Sequence, residues 1–499
     1  MRKALLLLAV IAAWHLALRA HGRQVPLITD EGEYAVAAKT WAQGDLPYLN
    51  AFSQKPPVTF LLYRLPWSPR ATATAFSLAT CLTLFFIAPA AWPLAARLAG
   101  PAAYASLSTL PLGDYGFPAN TEGFLNLFTA LAVLSFAKRR AFLMGLCLGA
   151  ALMTKQTAAF TALALIGLTV AFQSPRAALR AVAGLAVVPA AFSAYFYHRH
   201  IHYVYWDNVF AGNTRYATVL LHTGAAASQV KWFLSALAPS LLLYWAPAVG
   251  LLAWGLRGLK ADKARSLETA AVLWLGSAAA GALTGLFLFP HYFLQAAPAL
   301  ALCAALGVKK LADKRLAAAA VALLAVWPAL VSPRLYFLAG PDEVAVRLLF
   351  PNPLREVKFL GEKLAERARE GDKLYVFGSE GALFVYSGMM PATRHTLSYA
   401  VTLFPENAKA VEDEYAWLER FAAPAFIVWS AQPLSTMISN QASADFARDL
   451  RELYLLRYKY RGYVPVTPAP PVFVPARPLD KPDFTPGDRL LLFERKRAL

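Results

Sequence analysis

Over its first two thirds the chain alternates long apolar blocks with short polar interruptions. A helix that crosses a bilayer needs roughly 17 to 25 apolar residues. On that scale the blocks predict spans near 4–18, 71–93, 101–113, 122–137, 141–154, 156–173, 181–197, 231–255, 266–289, 292–308 and 315–332. The blocks at 101–113 and 141–154 are short, and Pro56 to Trp67 is apolar but limited by prolines. That last segment reads as a twelfth span or as a re-entrant or interfacial helix. After about residue 335 the pattern changes to amphipathic stretches (Pro353 to Glu370, Glu406 to Phe421, Ala442 to Tyr454) among β-rich runs at Lys373–Phe377, Ala425–Trp429 and Arg489–Phe493. Such alternation predicts a small α/β domain, with the Pro-rich stretch from Pro465 to Pro486 as an extended loop. The expected organisation is an α-helical polytopic membrane domain over 1–335, including a first outward loop at about 20–70, and a soluble α/β domain over 336–499.

Composition supports the membrane reading. Of 499 residues, 58% are hydrophobic and 16% charged, where a soluble globular chain carries roughly 25% charged residues. The net charge of +18 would suggest nucleic acid in a soluble domain. Here the basic residues sort instead into alternate loops: Arg2-Lys3, Arg97, Lys138-Arg139-Arg140, Arg176 with Arg180, Arg257 to Arg265, and Lys309 to Arg315. All fall on the side of the N-terminus, the positive-inside pattern for a cytoplasmic N-terminus and an extracytoplasmic C-terminal domain. Met1-Arg2-Lys3 before a leucine-rich stretch also fits a cleaved signal peptide, but an uncleaved first span suits a polytopic chain better. Cys81, Cys147 and Cys303 lie inside apolar blocks without metal-type spacing and read as small core residues.

The unusual acids and bases gather on the opposite, outward side. Asp30-Glu31-Gly32-Glu33-Tyr34 follows the first span, and Gln54-Lys55-Pro56-Pro57 follows that. Ionisable groups beside hydrocarbon are costly and usually functional. Local structure offers an alternative: Asp30 could cap a helix, with Glu33 closing a capping box. Proline after Lys55 holds that backbone extended, although a lysine at a helix end also snorkels. Asp114, Asn120, Thr121 and Glu122 come next, with Glu122 placed where a helix dipole favours a carboxylate. Lys155 and His291-Tyr292 lie at the same level, and the loop 198–230 adds His198, His200, His202, Asp207 and Arg215. Three histidines at alternate positions lack the arrangement of a dedicated metal site, so no metal ligands are assigned. A divalent metal remains compatible with the chemistry, and no other cofactor is indicated.

These motifs resemble the polytopic glycosyltransferases that use a polyprenyl-phosphate sugar, the C-fold superfamily. The likeness is strongest to the branch of bacterial protein-mannosyltransferase-like and lipid A aminoarabinose transferases. It rests on Asp30-Glu31-Gly32-Glu33-Tyr34-Ala35 with Gly44-Asp45-Leu46-Pro47-Tyr48, then Gln54-Lys55-Pro56-Pro57, Asn120-Thr121-Glu122, Lys155-Gln156-Thr157 and His291-Tyr292-Phe293-Leu294-Gln295 with Pro298, in shared order. A looser similarity follows at Leu374-Tyr375-Val376-Phe377-Gly378 and Tyr386-Ser387-Gly388. The resemblance implies that Asp30 is the catalytic acidic residue, with Glu31 beside it and Glu122 at the superfamily's second acidic position. It implies that Lys55 and Tyr292 contact the donor phosphate, with Lys155 and His291 at the same level. His291 stands where relatives often have arginine. Glu33, Tyr34, Asp114, Asn120 and Arg215 are the expected acceptor and sugar pocket.

The implied reaction moves a sugar from a polyprenyl phosphate to a hydroxyl of a lipid, protein or polysaccharide at the outer face of the plasma (inner) membrane. The phosphate leaves without a proton, so the protein must stabilise its charge with Lys55 and take the acceptor proton with Asp30. Direct displacement inverts the anomeric carbon. The competing readings are a transporter or flippase, which would spread ionisable residues along its spans, and a glycolipid-binding protein without activity. Membrane lipids are implied partners; nucleic acid is not.

Overall fold

Capping residues set where the apolar blocks become helices. Ser68 and Ser174 accept from the backbone amides of Ala71 (3.2 Å) and Ala177 (3.1 Å), each with proline at the first helical position. Asp313 accepts from Arg315 and Leu316 at 2.6 and 2.8 Å. Side-chain acceptors at these positions satisfy amides that a helix start leaves without partners. The computed structural model describes residues 2–222, 224–257, 266–403, 411–414, 416, 418 and 423–496.

Helices occur at all eleven expected positions: Arg2–Ala20, Pro69–Ile87, Leu94–Leu107, Thr121–Ala137, Ala141–Leu152, Ala158–Phe172, Pro175–His198, Ala238–Leu256, Ser266–Leu283, Ala297–Lys309 and Lys314–Val331. Counting adjoining helical turns, six segments among the described residues are long and apolar enough to cross a membrane, and four of the remaining described helices are apolar but shorter. The third helix lies earlier than the expected 101–113. Pro93 precedes its first residue, and Pro101 sits inside it rather than opening it. Pro57–Tyr63 forms a helix of only seven residues, about 10 Å long and too short to be a twelfth span. The charged stretch 258–265 and most of the helix-like 406–421 lie outside the described residues.

The chain divides into two compact units: Met1–Gln24, Lys55–His202 and Gly224–Gly340, against Val25–Gln54, Tyr203–Thr223 and Pro341–Leu499. The boundary therefore differs from the expected one. Most of the first outward loop and part of the 198–230 loop belong with the C-terminal sheet.

In the first unit, residues 291–308 are all buried, and Leu94–Leu107 and Ala238–Leu256 pack against the helix Ala297–Lys309. Helices Ala141–Leu152 and Pro175–His198 meet with their backbones almost touching. A Cβ on Gly145 would stand 1.9 Å from the carbonyl oxygen of Ala181, and one on Gly184 would stand 2.2 Å from that of Phe142. Small residues permit this approach between apolar helices, where lipid offers no hydrophobic drive for association.

The second unit holds a six-stranded sheet: β1 (Lys373–Phe377), β2 (Met390–Pro391), β3 (Phe426–Ser430), β4 (Tyr458–Pro465), β5 (Val474–Pro475) and β6 (Arg489–Arg495). Its order is β2-β1-β3-β6-β4-β5, with β2, β1 and β3 parallel and the rest antiparallel. All five residues of β3, which pairs parallel with β1 and antiparallel with β6, are buried, as expected of a central strand covered on both faces. The three expected β-runs become β1, β3 and β6. Strand β4 was not anticipated: its sequence Tyr-Lys-Tyr-Arg-Gly-Tyr-Val-Pro interleaves charges with aromatics and carries a glycine at φ +131°. The Pro-rich stretch after it forms the two-residue β5.

Candidate functional site

The first acidic motif is helical from Thr29 to Ala42. Its first turn is closed by Glu31, whose Oε2 accepts from the Ile28 amide at 3.1 Å. The capping carboxylate is thus Glu31, and the alternative of a capping box made by Asp30 and Glu33 does not form. Glu31 is 1% exposed, and its negative charge also suits the helix N-terminus. Asp30 is half-buried and accepts from the Tyr34 hydroxyl at 2.9 Å, one turn on. Residues three and four apart share a helix face, so Asp30, Glu33 and Tyr34 point the same way. Glu33 is buried and accepts from Ser53 Oγ. Gly44, at φ +95°, ends this segment with its amide on the Trp41 carbonyl.

The glycine inside the motif has a packing reason. A Cβ on Gly32 would stand 2.2 Å from the Ala382 nitrogen and the Gly381 carbonyl carbon. Helix Ala382–Ser387 follows β1, and the acid helix lies directly on its first turn. Tyr386 accepts from the Leu27 amide at 2.8 Å, and Lys39 donates to the Gly388 carbonyl at 3.0 Å. The acid helix is therefore fixed before its start, at its middle and near its end. The loop under it is held to the exit of β3: Ser379 N donates to Ser435 Oγ (2.7 Å), which donates to Glu380 Oε1 (2.6 Å). Burial holds the Glu380 carboxyl above the usual carboxylate range.

A second constellation belongs to the membrane unit. Lys155 sits in the turn between Ala141–Leu152 and Ala158–Phe172, its amide bonded to the Ala151 carbonyl at 2.9 Å. Its ammonium pairs with the wholly buried carboxylate of Glu122 and lies 3.9 Å from the centroid of the Tyr292 ring. Thr121 Oγ1 supports Glu122 from the other side at 3.1 Å. His291 and Tyr292 occupy the turn Pro290–Ala296, ring planes 88° apart. Asn126 and Thr157 anchor that turn through the Leu294 carbonyl (3.0 Å) and Gln295 Oε1 (2.9 Å). His291 Nδ1 lies 2.6 Å from Asp114 Oδ2, and Asn120 donates to the Asp114 carbonyl at 3.4 Å.

Lys55 joins this group through its own neighbours. Val58 N bonds the Met153 carbonyl at 3.0 Å, and Thr59 Oγ1 the Thr154 carbonyl at 3.1 Å. The Lys-Pro-Pro corner is thereby tied to the turn carrying Lys155, and both Lys55 and His291 act electrostatically on Glu122. Ammonium groups fixed in low dielectric beside an aromatic face are preorganised for an anionic oxygen. The buried Oδ1 atoms of Asp114 and Asn120 have no hydrogen-bond partner among the described residues, which leaves acceptors for hydroxyl groups of a ligand.

The structure thus brings Lys55, Asp114, Asn120, Glu122, Lys155, His291 and Tyr292 together in one unit, and Asp30, Glu31, Glu33 and Tyr34 on one helix of the other. Arg215 is exposed and engaged bidentately with Asp207 at 3.1 to 3.2 Å. His198, His200 and His202 are exposed, and no three His, Cys, Asp or Glu side chains among the described residues gather as a metal site. Sequence reasoning missed Phe52, His395 and Tyr399. Phe52 lies 5.3 Å from the His395 ring and 6.3 Å from that of Tyr399, whose phenol is raised well above its usual range by burial and by the charges of Glu33 and Asp30. Distance along the chain hid them: Phe52 and Tyr399 stand 347 positions apart, by subtraction of their numbers.

The fold is similar to that in a crystal structure of ArnT from Cupriavidus metallidurans bound to undecaprenyl phosphate. The TM-score is 0.55, at 15% identity, over 98% of this chain and 97% of that one. No family model matches the sequence, and no curated protein matches it. With this fold and its apolar helices, the chain is a multi-pass membrane protein.

Proposed function

We propose that this protein is an integral-membrane glycosyltransferase that moves a sugar from a polyprenyl phosphate to a hydroxyl acceptor. The observation that carries the reading is the gathering of Lys55, Lys155, His291 and Tyr292 around Glu122, in a fold like that of a protein bound to undecaprenyl phosphate. In this reading the lysines hold the lipid phosphate and stabilise its charge as it departs. Asp30 takes the proton of the incoming hydroxyl, its carboxylate steered by Tyr34 and its helix held by Gly32. One displacement at the anomeric carbon inverts its configuration. Glu31, occupied in capping, becomes a positioning residue. Asp114 and Asn120 offer acceptors to hydroxyl groups, and Arg215, bound to Asp207, is a weaker candidate for the acceptor pocket. The basic loops support a cytoplasmic N-terminus in the plasma membrane and an extracytoplasmic C-terminal unit.

The test is Asp30→Asn in the purified full-length chain. It is expected to lower transfer from polyprenyl-phosphate sugars by about 10² to 10⁴, the usual worth of a general base, while bare undecaprenyl phosphate still binds. Lys55→Ala should weaken binding of that lipid. Transfer by Asp30→Asn at the wild-type rate removes the base from the mechanism, and a wild-type chain that ignores the lipid removes the reading altogether.

A further inference from the structure

The loop after β1 carries more than the acid helix. A Cβ on Gly381 would stand 3.2 Å from the Thr29 carbonyl oxygen and 3.3 Å from the Glu33 nitrogen, but also 3.0 Å from Leu397. The next residue, Ser398, donates its amide to the Gly378 carbonyl at 2.9 Å. Tyr399 follows directly and opens the short helix Tyr399–Thr402. Tyr399 and the Asp30–Glu33 turn therefore hang from one four-residue loop, Gly378 to Gly381. That loop leaves the C-terminal end of a parallel strand, where open α/β sheets usually receive ligands.

A second tie joins the same two elements. Ser53 donates to Glu33, and its neighbour Phe52 donates its amide to the Arg394 carbonyl at 2.7 Å. The Phe52 ring then meets Tyr399 edge-on at 69°. Tyr216, from the inserted segment 203–223, lies 6.2 Å from Tyr399. His395 beneath Phe52 is fixed by Glu414 at 2.7 Å, and Glu414 is held by Thr393 at 2.9 Å. Phe52, Tyr216, Tyr399 and Asp30 are all half-buried. Flat apolar rings thus stand beside carboxylates on a rigid support. A sugar presents the complementary surface, with C–H faces for the rings and a rim of hydroxyls for the acids. The charges of Asp30 and Glu33 repel a ring that carries its own carboxylate.

Building on the transferase reading above, we propose that Tyr399, flanked by Phe52 and Tyr216, is the platform on which the transferred sugar ring lies, and that it selects rings without an acidic group. The phenol stays protonated beside Asp30 and Glu33 and can donate to a ring or acceptor oxygen.

Affinities of the full-length chain are measured for decaprenyl phosphate, bare or carrying mannose, arabinose or glucuronic acid. The wild type should gain affinity from a neutral sugar and none from glucuronic acid. Tyr399→Leu should lose about tenfold of that gain, the upper range for an aromatic contact, with bare lipid bound as before; Tyr399→Phe should keep it. Should Tyr399→Leu fail to fold, Tyr216→Leu carries the same expectation. A leucine variant that keeps the full gain overturns the platform. So does a wild type that favours glucuronic acid or gains from no neutral sugar. Failure of bare decaprenyl phosphate to bind would instead strike the transferase reading.

Discussion

The pair Lys155 and Glu122 separates stability from function most sharply. Both residues are buried, at 7% and 0% exposure. Removing one partner of such a pair strands a charge and costs about 3–5 kcal/mol, whereas replacing both with apolar groups of similar volume is often neutral. Lys155→Met alone is therefore expected to unfold several degrees earlier in detergent, and Lys155→Met with Glu122→Leu to recover most of that loss. The double variant should still fail to bind undecaprenyl phosphate, because the ammonium over Tyr292 is gone. Equal melting of the single and double variants would show that the pair is not electrostatically isolated. Glu122 illustrates what residue types reveal and what they hide. Its place at a helix start was legible, but its bond to Lys155 joins two turns 33 residues apart, which no local pattern encodes. At Asp30 and Glu31 the local pattern was present and misassigned. The helix begins at Thr29, two residues earlier than a cap at Asp30 requires, and that shift of register moves the capping role to Glu31.

Two glycines on acidic helix starts make the corresponding test for whole elements. Gly32 lies against the Ala382 backbone, whereas a Cβ on Gly123 would meet nothing within 4 Å. Both helices follow the same sequence logic, acid then glycine, yet only one is seated through its glycine. Gly123→Ala should stabilise by about 0.4–1 kcal/mol through the unfolded chain's lost freedom, with transfer unchanged. Gly32→Ala should cost about 1–3 kcal/mol, as overpacking usually does. It should also depress turnover more than lipid binding, since it displaces the helix carrying Asp30 and not the cluster holding Lys155. Melting curves with steady-state kinetics on both variants decide this; a Gly32→Ala enzyme with normal turnover would remove the seat from the mechanism. Eleven helix positions were readable because apolar runs stand out between short polar interruptions, although only six of them are long enough to cross a membrane. Strand β4 was not, because a strand exposed on one side mixes polar with aromatic residues and its glycine breaks the alternation. The seat itself was invisible: Gly381 and Gly32 meet only because β1 delivers its loop beneath a segment 349 residues earlier, by subtraction of their numbers.

For the whole molecule, the interleaved units explain why a boundary near 335 looked natural and was incomplete. Hydropathy marks where the chain leaves the lipid for good, but not that Val25–Gln54 and Tyr203–Thr223 leave it earlier to join the same unit. Those two excursions carry Asp30, Phe52 and Tyr216, so the unit with the sheet owns the acidic helix and its aromatic neighbours. Orientation then follows from charge. Arg139 lies in one of the basic loops and is exposed at φ +55°, while Lys481 is exposed in the C-terminal unit. If positive loops stay cytoplasmic and eleven helices cross, an odd number, the two residues end on opposite sides. Cys81 and Cys303 are buried and Cys147 half-buried in apolar helices, so a cysteine introduced elsewhere is the preferred target for an impermeant maleimide. In intact cells Lys481→Cys should label and Arg139→Cys should label only after permeabilisation. Labelling of both from outside would mean that an even number of segments crosses between the two residues, and would place one of the shorter apolar helices within the membrane surface rather than through it. Labelling of Arg139→Cys alone would invert the protein and turn the Asp30 helix toward the cytoplasm. An outward acceptor would then be impossible, although the chemistry assigned to Lys55 and Asp30 would stand.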